Sequence, residues 1–109
     1  MTLKAAIKER RTIDDSRKAI AIAAMAPMKR ALHEGGTQFT DLGVAKGQDG
    51  YMARLSLDHG AFGPVTVSAL SRSPQEYIVS RKRGDATRVG TDLTSTMRCI
   101  AELMTEELK

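Results

Sequence analysis

The stretch YMARLSLD, residues 51–58, decides the fold. Tyr51, Ala53, Leu55 and Leu57 alternate with Met52, Arg54, Ser56 and Asp58. Successive strand side chains point to opposite faces, so this two-residue period predicts a strand with one apolar and one polar side. Upstream, residues 39–46 form a weaker strand interrupted by Gly43, and Gly47-Gln48-Asp49-Gly50 reads as the hairpin loop between the two. Downstream, His59-Gly60-Ala61-Phe62-Gly63-Pro64 is turn chemistry, after which Val65, Val67 and Ala69 alternate with Thr66, Ser68 and Leu70. Residues 71–74 turn the chain again. Tyr77 and Val79 then alternate with Ile78 and Ser80 in a last strand that runs into Arg81-Lys82-Arg83, and Gly84-Asp85 turns away. Short connections make an antiparallel meander of three to four strands the simplest topology.

Helical periods flank this sheet. Residues 2–11 predict a short basic helix or frayed arm, with Leu3 and Ile7 one turn apart. Residues 12–15 have the form of a capping signal, and Ile20, Ala24, Met28 and Leu32 follow at four-residue steps before Gly35-Gly36. Pro27 lies inside that span and predicts a kink or break, since it lacks the N–H that the Ala23 carbonyl would accept. At the other end, Leu93, Met97, Ile100, Met104 and Leu108 make one apolar stripe on a helix over residues 91–108, starting near Thr91 or Asp92. The expected architecture is an α+β two-layer sandwich in the order α-β-β-β-β-α.

Composition limits what such a fold can do. At 109 residues the chain is one domain, and aromatics make up only 4% of it, so the core is aliphatic and methionine-rich. That excludes an enzyme with a cleft between two domains. No apolar run approaches the ~18 residues that span a bilayer, and the polar amino terminus does not read as a signal peptide. Cys99 is the only cysteine, which fits a reducing, cytoplasmic compartment.

Candidates for catalysis are thin. His59, next to Asp58, could be half of an acid–base pair, but a turn with a solvated imidazole accounts for it. His33 suits the last turn of a helix, where the dipole favours a cation. Cys99 lies mid-helix beside Ile100 and reads as a small core residue rather than a nucleophile. Neither metal-ligand spacing nor a phosphate-loop motif is present, so no catalytic residue, metal or cofactor is assigned. The helix–sheet–helix order resembles, in outline, the double-stranded-RNA-binding domain. Such domains carry a lysine-rich start to the last helix, whereas here Thr91-Asp92-Leu93-Thr94 is neutral to acidic, so no family is assigned.

Charge carries the functional expectation. The net charge of +4 is uneven: residues 1–36 hold +4, residues 76–90 hold +2, and residues 91–109 hold −2. The expected contacts are Arg81, Lys82, Arg83 and Arg88, with Arg10, Arg11, Arg17 and Lys18 second. If the first helix and the last strand share an edge, the two patches merge and follow a phosphate backbone. No aromatics interleave with these basic runs, so contacts would be to backbone and weakly sequence-selective. The expected function is a non-catalytic binding module for nucleic acid, or for an acidic protein surface in a nucleic-acid-handling complex. The alternative is a bacterial or phage protein–protein adaptor or inhibitor, of the kind that blocks a larger assembly. Methionines on apolar faces and two open sheet edges suit it, and a homodimer is a candidate there.

Overall fold

Thr2 opens the first helix: its hydroxyl accepts from the Ala5 N–H at 3.1 Å, and α1 then runs unbroken over Leu3–Glu34. The expected division into an arm and a second helix is therefore replaced by one helix. Thr12 is not its cap, and its hydroxyl instead donates to the Lys8 carbonyl. Pro27 is exposed and sits on the outward side of α1. A helix that wraps a core lengthens its hydrogen bonds on that side, so one missing N–H is tolerated there. Gly36, with φ of 74°, closes the helix in the left-handed conformation, and the Thr37 N–H reaches back to the Leu32 carbonyl at 2.9 Å.

The computed structural model describes residues 2–47, 50–58, 62–72 and 74–106. Five strands follow α1, namely β1 (Thr40–Gly47), β2 (Gly50–Leu57), β3 (Val65–Leu70), β4 (Tyr77–Arg81) and β5 (Ala86–Gly90), and α2 (Leu93–Thr105) ends the described chain. The sheet is an antiparallel meander in sequence order. This is the expected α+β class, with five strands instead of three to four. The additional strand, β5, carries the alternation in reverse: its helix-side residues are Ala86, Arg88 and Gly90, with Arg88 paired to Glu102 of α2, while outward Val89 is 55% exposed. Ala86 and Gly90 are small because α2 lies directly on them. A Cβ on Gly90 would sit 2.7 Å from the Thr96 Cα.

Both helices cover the same sheet face. Ala21, Met25, Met28 and Leu32 of α1 meet Ala53, Leu55, Leu57, Val65, Val67 and Ala69. Helix α1 lies over β1 to β3, and α2 over β3 to β5. The buried residues of α2 are Thr96, Ile100 and Leu103, with Met97 and Met104 half-buried. The expected stripe is thus rotated, because Thr96 can be buried once its hydroxyl donates to the Asp92 carbonyl; Leu108 lies outside the described residues. The Tyr77 hydroxyl donates to the Ala24 carbonyl at 2.7 Å and ties α1 to β4; burial pushes its pKa up, which keeps the neutral donor form. Lys29 of α1 pairs with Asp41 of β1 at 2.5 Å. Among the described residues, no helix is long and apolar enough to cross a membrane.

Gly90→Ala should lower stability by about 1–3 kcal/mol in urea unfolding, and Thr96→Ala should rescue it only in part, since it removes the Oγ1 contact but leaves the Cα at 2.7 Å. The Lys29 ammonium and the Gly43 N–H hold Asp41 below its ordinary pKa of 3.8. A depressed folded pKa stabilises above the unfolded value and is lost as pH falls through the folded one. The stability gap between wild type and Asp41→Asn should be full at neutral pH and should close below pH 3.8.

Candidate functional site

Helix α1 runs parallel to β2: Lys18 lies 5.2 Å from the Tyr51 ring near the β1–β2 hairpin, and Leu32 lies beside Leu57 at the opposite end. Its docked half begins at Ala21. No residue from 2 to 20 is buried. About 18 residues at 1.5 Å each make an arm that projects roughly 27 Å past the docked half. Alone, such a segment would be marginal, but it continues a helix already nucleated by packing.

The arm carries Lys4, Lys8, Arg10, Arg11, Arg17 and Lys18 against Glu9, Asp14 and Asp15. Arg10 uses part of its charge on Asp14 at 3.7 Å. Lys4, Lys8 and Arg11 share one face, spaced four and three residues apart, beside exposed Leu3 and Ile7. Three expected contacts, Arg10, Arg11 and Arg17, therefore stand on one projecting element, with Lys18 at its base over the Tyr51 ring. Lys4 and Lys8 join them; their helical spacing is plain in the sequence, but it gains meaning only because the arm is unpacked.

The other expected group lies at the opposite end of the sheet. Register puts Arg81 level with Val65 and Leu57, and Tyr51 at the far end of β2. The two basic clusters do not merge. Within the second cluster, Arg81 is only 3% exposed. Its Nη1 donates to the Leu103 carbonyl and to the Glu106 carbonyl at 2.9 Å, and its Nε donates to the Arg83 carbonyl at 2.9 Å. The guanidinium also lies 5.1 Å from the Phe62 ring. Arg81 thus closes the carboxyl end of α2, where carbonyls lack intrahelical donors and the dipole favours a cation. It is corrected from phosphate contact to structural residue. Arg88 lies 3.6 Å from Glu102, so its charge is offset. Lys82 and Arg83 are exposed, with Arg83 5.9 Å from Phe62.

The catalytic candidates come no closer to one another. His33 is exposed at the end of α1, and Cys99 is half-buried with its Sγ 3.9 Å from the Val89 carbonyl. His59 lies outside the described residues. No three His, Cys, Asp or Glu side chains among the described residues gather to hold a metal. Between the helices runs an apolar groove of about 550 Å³ lined by Leu32, Leu57, Met97, Ile100 and Met104. The edge strands discourage strand addition: β1 is bulged between Asp41 and Gly43, and β5 is five residues long.

Comparison with family models, curated proteins and solved structures finds no match to this chain.

Arg81→Ala should destabilise the protein by about 2–4 kcal/mol in chemical unfolding, because buried carbonyls lose a charged donor. Arg81→Lys should recover only part of this, since an ammonium cannot fork to the same carbonyls. Lys82→Ala should change stability by less than about 0.5 kcal/mol.

Proposed function

We propose that the protein is a small non-catalytic binding module whose α1 arm contacts the phosphate backbone of nucleic acid, alone or within a nucleic-acid-handling complex. The observation that carries this reading is the arm itself: six cations on a helix with no buried residue from 2 to 20. A helix of this width fits the major groove, and its lysines and arginines would release condensed counterions from phosphates. The arm carries no aromatic, and Tyr51 and Tyr77 point to the core side of the sheet, so its contacts would carry little sequence information.

A protein–protein adaptor or inhibitor, bacterial or phage in origin, is the second reading. The groove between the helices favours it, because Met97 and Met104 offer adaptable thioethers to an incoming apolar side chain.

Salt dependence separates the two. Wild type should shift duplex DNA or RNA at low salt, with affinity falling steeply as salt rises. Lys4→Gln, Lys8→Gln and Arg11→Gln together should weaken binding. They should also lower the slope of log K against log salt by about 1 for each phosphate left without its cation, while Lys82→Gln leaves the slope unchanged. No mobility shift at low salt would overturn the phosphate reading. A protein captured by wild type but not by Met104→Lys would then support the second.

A further inference from the structure

The stripe that α1 buries does not stop where the sheet does. Leu3, Ile7, Arg10 and Asp14 each stand eighteen residues before Ala21, Met25, Met28 and Leu32. At about 3.6 residues per turn this is five whole turns, so the arm turns to open space the same face that the docked half lays on the sheet. Leu3 is 78% exposed and Ile7 44%. The face looks into the corner between the arm and the β1–β2 hairpin end of the sheet. Lys46 stands exposed at that corner, on the helix side of β1 opposite Tyr51, whose ring lies 5.2 Å from the Lys18 ammonium.

Cations border this strip on both sides. Arg10 and Arg17, seven residues apart, run along one border. Lys4 and Arg11, also seven apart, run along the other, with Lys18 in line at the base. At roughly 100° per residue the two rows stand about 120° apart around the helix, and Leu3, Asp14 and Ile7 lie between them. Among the described residues, Lys4, Arg11 and Arg17 have no ion-pair partner, and Arg10 meets only Asp14, at 3.7 Å. Of the other acids on the arm, Glu9 lies on the opposite side and Asp15 lies outside the Lys4 row.

We propose that this face of the arm enters the major groove of B-form DNA, a step that rests on the phosphate reading above. The two cation rows meet the two phosphate strands that border the groove. The B-form major groove is about 12 Å wide and admits a helix, whereas that of A-form RNA is too deep and narrow for side chains to read. Leu3 and Ile7 then lie toward the groove floor, where thymine presents its methyl group. Asp14 faces the same floor, where cytosine amino groups donate. Contact along the outside of a duplex would use one row and leave Leu3 and Ile7 in water. A lipid surface does not fit, since Asp14, in the middle of the strip, would have to enter the acyl layer.

The test is fluorescence anisotropy with a short labelled duplex of one sequence, prepared as DNA and as RNA and titrated over a range of salt. The DNA should bind at least about tenfold more tightly than the RNA at equal salt. Arg10→Gln with Arg17→Gln, and separately Lys4→Gln with Arg11→Gln, should each lower the slope of log K against log salt on DNA by about 2. Leu3→Ala with Ile7→Ala should weaken DNA binding by about three- to tenfold at an unchanged slope, since apolar contact releases no counterions. All these positions are exposed, and glutamine and alanine keep the helix. Equal binding to DNA and RNA would overturn the groove assignment and leave the phosphate reading standing. So would a slope that falls in the Lys4 and Arg11 variant but not in the Arg10 and Arg17 variant, or an affinity unchanged by Leu3→Ala with Ile7→Ala. Binding to neither duplex at low salt would overturn the phosphate reading itself.

Discussion

A five-stranded sheet has two faces, and this chain carries large apolar side chains enough for one. Leu55, Leu57, Val65, Val67 and Val79 all point the same way, and Met25, Met28, Leu32, Ile100 and Leu103 cover them. That one-sided supply sets the architecture. Both helices must lie on a single face, and the opposite face is left to Ser, Thr, Arg54 and a few apolar residues. Two helices also do not fully roof five strands. The gap between them is the methionine-lined groove, and the two ends of the inward row of β5 shrink to Ala86 and Gly90 so that α2 can come close.

The ends of the molecule follow from the same geometry. A 32-residue helix is about 48 Å long, whereas an eight-residue strand spans only about 26 Å. Half of α1 therefore has no sheet beneath it, and the residues there are free to be charged. At the opposite end the carboxyl terminus of α2 is drawn down onto β4. Its open carbonyls need a donor, and Arg81 supplies a guanidinium from below. Two basic clusters that look alike in sequence thus have different roles: one projects into solvent, and the other is divided between closing a helix and a surface turn.

Much of the fold is legible in the sequence. The two-residue alternation locates β2, β3 and β4, Gly35-Gly36 marks the end of α1, and Asp92 is a candidate start of α2, which it caps through Ser95. What escapes shares a physical cause. Strand β5 has its one large apolar residue, Val89, outward and Ala86, Arg88 and Gly90 inward, so local hydrophobicity gives the wrong face. Pro27 signals a break by its own chemistry, but where the missing N–H falls relative to the core decides whether the helix tolerates it. Arg81 reads as a surface cation because nothing nearby in sequence reveals that Leu103 and Glu106, more than twenty residues on, will bring their carbonyls to it.

By itself the sequence determined periodicity, caps and turns, hence an α+β class and the sum of its charges. These depend on residues within one or two turns of each other, where backbone sterics and local hydrogen bonding act. Tertiary structure alone decided which cations face water, which face of the sheet stays open, and that Arg54 stands on it with a buried Nε lacking a partner. Exposure and pairing arise from contacts between residues distant in the chain, and those exist only once α1 and α2 have settled on the same side of the sheet.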